Sequence, residues 1–378
     1  NIRFGSSAVK EVAENLVQIL GKEILLVTDP GLTALRLYNP LVKNLRAKNA
    51  NVFIYDAVRA DPEVTIVLDC VKCGFENKIT GVIGFGGGSS LDVAKMASLL
   101  IGSNDKIEET FGVGNAKGPR TPLCLIPTTA GTGSEVTPVA IITTRKEEKK
   151  GVVSTLIIPD IAILDSDLTR NLPKNIAAAT GIDAMVHAIE AYTSKNPNNN
   201  YLTKLLAKEA LTLLGRSIKT AVSSASDGKA RGEMLFGSML AGMAFANSPV
   251  AAVHALAYPI GGSFNIPHGL SNALVLPAVL KFNSKNVSTA KDYNILNELL
   301  FPEAKKFDDS GLGAKEFAKN LKKLALQLGL PVRLRDVGIL KESCPKLAAD
   351  AMKQTRLLVN NPVPVNEADA LKIYQEVW

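Results

Sequence analysis

The three histidines of this 378-residue chain, His187, His254 and His268, all lie in two short apolar segments. In "GIDAMVHAIEAY", His187 follows Asp183 by four residues, which places both side chains on one face of a helix. In "VHALAYPIGGSFNIPHG", His254 and His268 are fourteen residues apart. Together these four residues offer three imidazoles and one carboxylate.

A single histidine in an apolar segment is more often an ordinary core residue than a ligand. The joint pattern favours one shared metal site, because no other histidine occurs elsewhere in the chain. Three imidazoles and a carboxylate suit Fe²⁺ or Zn²⁺ better than Ca²⁺ or Mg²⁺, which prefer oxygen ligands. The ligand types do not distinguish iron from zinc.

A second candidate site is the glycine-rich stretch "GVIGFGGGSSLDVAK" at residues 81–95. It predicts a buried strand, a turn through Gly86, Gly87 and Gly88, and a helix beginning near Ser90. Glycines allow close backbone approach, and the free N–H groups of a helix start favour a diphosphate. A tight turn without a ligand is the alternative.

Two further stretches end predicted strands beside that turn. "PTTAGTGSEVTP" at 127–138 is a polar loop rich in threonine, and Asp29 ends the strand in "LLVTDPG". Loops at the carboxyl ends of neighbouring parallel strands converge on the ligand crevice of such sheets. An acidic Asp29 suits a ribose diol and would repel a 2′-phosphate, although capping the helix after Pro30 is an equally simple role.

The elements that position these residues differ between the two halves of the chain. The first half alternates helical stretches near 8–20, 33–48 and 64–75 with apolar strands at 23–29, 51–57, 81–87, 123–127 and 161–166. This alternation predicts a mostly parallel sheet covered on both faces. "VAIITTRKEEKKGVVSTLIIP" predicts a β-hairpin whose charged tip faces solvent.

After "NLPKN" at 171–175 the apolar residues follow helical spacing only. The sequence therefore predicts an α/β domain over 1–172 and an all-helical domain over 173–378, packed closely with a cleft between them.

Composition excludes several other classes of protein. The net charge of +7 comes from Lys and Arg interspersed with Asp and Glu, which disfavours a nucleic-acid surface. The four cysteines are too few for a disulfide framework, and the C-x-x-C of Cys70 and Cys73 has no second pair, so reduced structural thiols are expected. The apolar runs are too short for a membrane helix, and the first residues lack a signal-peptide pattern. We therefore expect a cytoplasmic protein without membrane partners.

Five motifs, in this order along the chain, resemble the iron-containing (group III) alcohol dehydrogenases: "GFGGGSSLDVAK", "PTTAGTGSEVTP", "GIDAMVHAIEAY", "VHALAYPIGG" and "IPHGLSNALVLP". The resemblance implies a dehydroquinate-synthase-like architecture, with an N-terminal dinucleotide-binding α/β domain, a C-terminal helical domain and a catalytic ion in the cleft. It also implies a homodimer or larger homo-oligomer.

The resemblance assigns roles position by position. It implies that the metal ligands are Asp183, His187, His254 and His268. The cofactor-binding positions that it implies are Asp29, Gly87, Gly88, Ser89, Asp92, Thr128, Thr129, Thr132 and Lys150. Asp29 favours NAD over NADP, and the neighbouring Lys149 leaves the register of Lys150 ambiguous.

One position departs from the family pattern. Many members have another histidine where this chain has Tyr258, and proton relay has been assigned to that histidine. A phenol with an ordinary pKa of about 10 relays protons poorly at neutral pH beside an imidazole of about 6.5. Tyr258 is therefore the catalytic candidate with the least defined role.

The expected function is reversible hydride transfer between a small alcohol and NAD(P), with the substrate oxygen bound to Fe²⁺. Zn²⁺ is the alternative metal, and NADP is the less favoured cofactor. Hydride transfer between a hydroxy acid and an oxo acid is the main alternative. A dehydroquinate-synthase-type lyase is disfavoured because no Lys or Arg accompanies the ligand motifs, and a non-catalytic binding protein is disfavoured by the complete ligand set.

Overall fold

The structure is a computed structural model that describes residues 1–103, 105–144 and 148–378. Contacts between residues divide the chain into two compact units, Asn1–Asn171 and Leu172–Trp378. The first unit combines helices with all of the described strands, and the second is built from helices.

The first unit contains a six-stranded sheet in which every pairing is parallel. Its strands are β1 (Ile2–Gly5), β2 (Glu23–Val27), β3 (Asn51–Tyr55), β4 (Gly81–Gly86), β6 (Leu123–Pro127) and β9 (Ile161–Asp165). They lie in the order β1-β9-β6-β4-β2-β3, so β4 and β6 are central and completely buried. Continuous apolar strands of this kind need helices on both faces, and the predicted parallel sheet is confirmed.

Helices of the first unit connect these strands. They are α1 (Ala8–Glu11), α2 (Ala13–Leu20), α3 (Pro30–Ala34), α4 (Asn39–Ala47), α5 (Val64–Glu76), α6 (Gly88–Gly102) and α7 (Ile107–Thr110). The helix predicted over 33–48 is wrong in extent, because Arg36 adopts a left-handed conformation with φ 53° and separates α3 from α4. The edge strand β1 was not predicted, since "IRFG" is short and mostly exposed.

A smaller sheet of three strands carries the predicted hairpin. Strands β7 (Val139–Thr143) and β8 (Lys149–Val153) pair antiparallel, as expected, and β5 (Gly112–Val113) pairs parallel with β8. The predicted exposed tip includes residues 145–147, which lie outside the described residues.

Every residue of the second unit is described, and this part of the chain contains no strand. Its helices are α8 (Lys174–Thr193), α9 (Tyr201–Ser223), α10 (Gly228–Asn247), α11 (Ala252–Phe264), α12 (His268–Asn283), α13 (Val287–Leu300), α14 (Ser310–Gln327), α15 (Cys344–Ala351), α16 (Thr355–Leu358) and α17 (Glu367–Val377). The predicted all-helical second half is confirmed. Among the described residues, no single helix is long and apolar enough to cross a membrane, and only α10 and α11 together, bent by 107°, reach that length and hydropathy.

Candidate metal centre and cofactor site

Three helices of the second unit bring the three histidines and Asp183 together. Helix α8 carries Asp183 and His187 one turn apart, α11 carries His254, and His268 is the first residue of α12. One ligand atom from each residue lies within 4.8 Å of the others. Asp183, His187 and His254 are buried, whereas the His268 side chain is 32% exposed. The cluster is therefore open on one side, at His268.

Glu190 fixes the orientation of His254. Its carboxylate accepts hydrogen bonds from His254 Nδ1 at 2.6 Å and from the backbone N–H of Val253 at 2.6 Å. With Nδ1 donating to the carboxylate, Nε2 keeps its lone pair for a metal ion. Glu190 was not predicted, although it lies seven residues after Asp183 and so faces the same side of α8.

Asn272 also belongs to the cluster and was not predicted. Its Nδ2 atom lies 2.6 Å from Asp183 Oδ1 and 3.3 Å from Nε2 of both His254 and His268. Its Oδ1 atom is buried without a hydrogen-bond partner among the described residues. Helix spacing offered one signal, since Asn272 follows His268 by four residues.

The electrostatics of the cluster suit a cation. Burial alone would raise the pKa of the Asp183 carboxyl, but the three neighbouring imidazoles and the Asn272 amide outweigh burial and hold that pKa below its ordinary value. An anionic oxygen and imidazole nitrogens within 4.8 Å form a donor set that Fe²⁺ and Zn²⁺ accept. Among the described residues, this is the one group of three or more His, Cys, Asp or Glu side chains so arranged.

Two aromatic rings border the cluster. Phe245 stacks on His187 with ring centroids 4.5 Å apart, and the Tyr258 ring lies 5.8 Å from that of His268. Tyr258 is half-buried and follows His254 by one helical turn on α11. The structure therefore places Tyr258 beside the more exposed end of the cluster.

In the first unit, the glycine-rich turn joins the end of β4 to the start of α6. Helix α6 begins at Gly88, two residues before the predicted start, and Gly87 is its N-cap. Gly86 has φ 156°, which an L side chain rarely adopts. A Cβ on Gly88 would lie 2.7 Å from Thr132 Cγ2. Only glycine therefore lets the loop at residues 127–138, the threonine loop, approach this closely.

The other predicted cofactor residues surround this turn. Strand β6 pairs with β4, and the backbone N–H of Thr128 donates to Gly86 O at 2.9 Å, which joins the threonine loop to the turn. Ser89 is half-buried in the first turn of α6, and Thr129 is half-buried on the loop. The structure thus brings the glycine-rich turn and the threonine loop to one place at the carboxyl ends of neighbouring strands.

Asp29 caps helix α3, because its Oδ1 accepts from the Leu32 N–H at 3.0 Å. No hydrogen bond from a described residue reaches its second oxygen, Oδ2. Lys149 pairs with Asp61 at 2.7 Å, whereas the neighbouring Lys150 is exposed and lies over the Phe111 ring. Adjacent residues of a strand face opposite sides, so the Lys150 side chain points away from the ion pair that Lys149 makes.

Asp92 differs from the other predicted cofactor residues. Its Oδ1 accepts a hydrogen bond from the Ser134 hydroxyl at 2.7 Å, and its Oδ2 accepts from the Ile141 N–H at 2.9 Å. Burial raises the pKa of this carboxyl above its ordinary value, partly offset by the neighbouring Lys95. Both oxygens are thus engaged by the protein itself.

An α/β unit with this glycine-rich turn and a helical unit with a buried His/Asp cluster have the features that an enzyme combining a dinucleotide with a metal ion requires. Residues 1–166 match the family profile "Iron-containing alcohol dehydrogenase", and residues 177–378 match "Fe-containing alcohol dehydrogenase family, C-terminal". The chain is 37% identical to long-chain-alcohol dehydrogenase 1 of Geobacillus thermodenitrificans, across 99% of this chain and 94% of the relative.

Two solved structures are similar over the full length of the chain. A 1,3-propanediol oxidoreductase matches with a TM-score of 0.94 and 31% identity, covering 100% of this chain and 97% of the other. A sulfoacetaldehyde reductase from Bifidobacterium kashiwanohense, solved in complex with NAD⁺, matches with a TM-score of 0.87 and 27% identity, covering 100% and 96%. The chain belongs to the iron-containing alcohol dehydrogenase family, which confirms the expected family, fold class and enzyme class.

Proposed function

We propose that the protein transfers a hydride reversibly between a small alcohol and NAD, with Fe²⁺ held by Asp183, His187, His254 and His268. The observation that carries this proposal is the cluster itself, in which four donor atoms lie within 4.8 Å of one another. A bound Fe²⁺ would act as a Lewis acid, which lowers the pKa of an alcohol and polarises a carbonyl. Zn²⁺ would fit the same donors.

The residues around the ligands hold the ligand side chains in place without a bound ion. Glu190 holds His254 with Nε2 turned away from its own carboxylate, and Asn272 holds one oxygen of Asp183. Phe245 restricts the rotation of the His187 ring by stacking on it. Ligands fixed in this way do not have to be ordered when the metal binds, which supports high affinity.

For the cofactor, we propose that the diphosphate of NAD binds at the turn formed by Gly87, Gly88 and Ser89, beside Thr128, Thr129 and Thr132. The free N–H groups at the start of α6 support an anion there. The Oδ2 atom of Asp29 would accept hydrogen bonds from the adenosine ribose, and its charge would repel a 2′-phosphate. Lys150 would contact the cofactor from strand β8.

In this proposal, the first unit is the dinucleotide-binding domain and the second unit holds the metal and the substrate. Tyr258 contributes a hydroxyl and an aromatic wall next to His268. Substitution of Tyr258 by phenylalanine separates these contributions, because only the hydroxyl is lost. Unchanged kinetics in the Tyr258→Phe variant would limit Tyr258 to packing.

The test is an anaerobic screen of small alcohols and aldehydes with NAD(H) and NADP(H), on protein reconstituted separately with Fe²⁺ and Zn²⁺. We expect NADH formation from a primary alcohol with the Fe²⁺ protein, and loss of activity on chelation. Turnover at full rate by metal-free protein would contradict the metal role. No NADH from any alcohol would contradict the activity, and product formation from 4-hydroxybutyrate with 2-oxoglutarate would indicate hydroxy-acid chemistry instead.

A further inference from the structure

Helix α6 carries two ionisable side chains one turn apart, Asp92 and Lys95, beyond the glycine-rich turn at its start. The spacing of three residues places both on one face of the helix. Lys95 is completely buried, and Asp92 is partly buried. Because Lys is almost never fully buried without partners, the surroundings of Lys95 require an explanation.

The Lys95 ammonium binds the end of the threonine loop and the first residue of β7. Its Nζ atom donates to the carbonyl oxygens of Thr137 at 2.9 Å and Val139 at 2.8 Å, and to the Thr137 hydroxyl at 3.2 Å. Burial lowers the pKa of Lys95 to about 8, while Asp92 and Glu135 favour its charged form. All three donors of the ammonium are therefore directed at this segment.

Asp92 binds the same part of the chain, at residues that lie before and after those that Lys95 binds. It accepts from the Ser134 hydroxyl within the threonine loop, and from the Ile141 N–H in β7. Ile142 is the register partner of Lys150 in β8. The two side chains of α6 thus fasten the threonine loop and the hairpin strand next to Lys150 to the helix whose start forms the glycine-rich turn.

We propose that Asp92 and Lys95 are positioning residues for the dinucleotide, and that Asp92 acts through the threonine loop and the hairpin rather than by touching the cofactor. This inference rests on the proposed function, because it assumes that NAD binds at the glycine-rich turn. Asp92 and Lys95 form a clamp that joins the glycine-rich turn, the threonine loop and the Lys150 strand. The cofactor then meets groups that are already in place.

The decisive variant is Lys95→Met, because methionine keeps much of the apolar stem and Nζ is buried away from any ligand. On Fe²⁺-loaded enzyme, we expect the Kd for NADH, measured by NADH fluorescence, to rise about tenfold in Lys95→Met and in Asp92→Asn. The KM for NAD should rise in parallel, while the KM for the alcohol and the metal content stay unchanged. Ser134→Ala, a milder change, should raise the Kd about threefold.

Ser98→Ala is the matched control. Ser98 lies on the same helix and donates a buried hydrogen bond to the Thr121 carbonyl, outside the clamp. This variant should lose stability while its NADH affinity stays within about twofold of the original. It separates a general loss of stability from a loss of positioning.

A double-mutant cycle with Lys150→Ala tests how the clamp acts. If the clamp positions Lys150, the loss of NADH affinity caused by Lys150→Ala should be smaller in the Lys95→Met background than in the original protein. Fully additive losses would contradict positioning of Lys150. A loss in Asp92→Asn with none in Lys95→Met would overturn the proposal and indicate direct contact between Asp92 and the cofactor.

Hydrogen exchange of the Ile141 amide, measured without cofactor, tests the clamp separately from NAD binding. We expect faster exchange in Asp92→Asn and Lys95→Met than in Ser98→Ala. Equal exchange in all three would overturn the clamp. If the original protein itself fails to bind NADH, the proposed function fails and the cofactor role of the clamp fails with it, whereas the exchange result still decides whether the clamp exists.

Discussion

The His/Asp cluster and the glycine-rich turn are built in opposite ways. The cluster consists of side chains from three helices, spread from Asp183 to His268, and each contributes one ligand atom. The turn is a short continuous segment in which backbone groups and the absence of side chains matter most. A metal site therefore depends on residue identity at a few distant positions, whereas a phosphate site depends on local backbone conformation.

This contrast has an energetic consequence. Loss of one ligand removes a large part of the binding energy of an ion, because each donor acts at short range on a full charge. Loss of one contact at the turn removes one hydrogen bond among several, which is worth about 0.5–1.5 kcal/mol. Substitutions in the two regions should therefore differ in magnitude and in the ligand that they affect.

The largest expected effect follows substitution of a ligand. Asp183→Asn keeps the size of the side chain but removes its charge, so we expect the affinity for Fe²⁺ or Co²⁺ to fall by more than about 100-fold. NADH affinity should change much less, because Asp183 is not among the residues proposed to bind the cofactor. Competition with a chelator and NADH fluorescence measure the two affinities, and the exposed Asp308→Asn is the control. Equal losses of both affinities would contradict the independence of the two regions.

A smaller loss is expected when the partner of a ligand is changed. Glu190→Gln can still accept the hydrogen bond from His254 Nδ1, but it loses the negative charge that supports the imidazole. Metal affinity should fall about 10- to 100-fold. The exposed Glu209→Gln, on α9, is the matched control. An unchanged metal affinity in Glu190→Gln, with only a lower melting temperature, would reduce Glu190 to a structural role.

The sequence predicted the ligands and missed their supports for a physical reason. Histidine is rare in this chain, so three histidines in two apolar segments were conspicuous. Glutamate is common, yet Glu190 stands in "GIDAMVHAIEAY", where Asp183 is the only other charged residue at neutral pH. An acid in an otherwise apolar helical segment is a usable signal that the side chain has a buried partner. Asn272 offered a weaker signal in the sequence, because its role depends on packing between α8 and α12.

The parallel sheet was predictable because its strands are continuous apolar runs. The exposed edge strand β1 and the break at Arg36 were not, since neither leaves a periodic pattern. The glycine-rich turn was recognised from its consecutive glycines, but the buried contacts of Lys95 were not. Lysine is usually a surface residue, and nothing near "DVAK" indicates that its ammonium meets carbonyls more than forty residues further on.

Two neighbouring glycines of the turn differ in the space around them. A Cβ on Gly87 would have no atom closer than 3.5 Å, whereas a Cβ on Gly88 would lie 2.7 Å from Thr132 Cγ2. Gly87→Ala should therefore leave the melting temperature nearly unchanged but lower NADH affinity about tenfold, because the methyl group would occupy space needed by the diphosphate. Gly88→Ala should lower both the melting temperature and the NADH affinity. Full NADH affinity in Gly87→Ala would indicate that the diphosphate does not bind at this turn.

The smallest expected effect concerns Glu135, a buried acid whose Oε1 has no hydrogen-bond partner among the described residues. Burial raises its pKa from 4.5 to about 7, partly offset by Lys95. Between these values the folded protein holds a proton that the unfolded chain has released, so the free energy of unfolding falls as the pH rises through this window. Below pH 4.5 both states are protonated, and the contribution is fully present.

Glutamine does not titrate, so comparison with Glu135→Gln isolates this contribution. Between pH 5 and 7, the free energy of unfolding of the original protein should fall relative to that of the variant by on the order of 1 kcal/mol per pH unit. Lys95, with a pKa of about 8, stays mostly charged in the original protein across this range. Urea unfolding of cofactor-free protein at several pH values measures the difference. If the difference in unfolding free energy between the original protein and Glu135→Gln does not change with pH, Glu135 is ionised in the fold across this range. Its charge would then be an additional part of the clamp through Lys95.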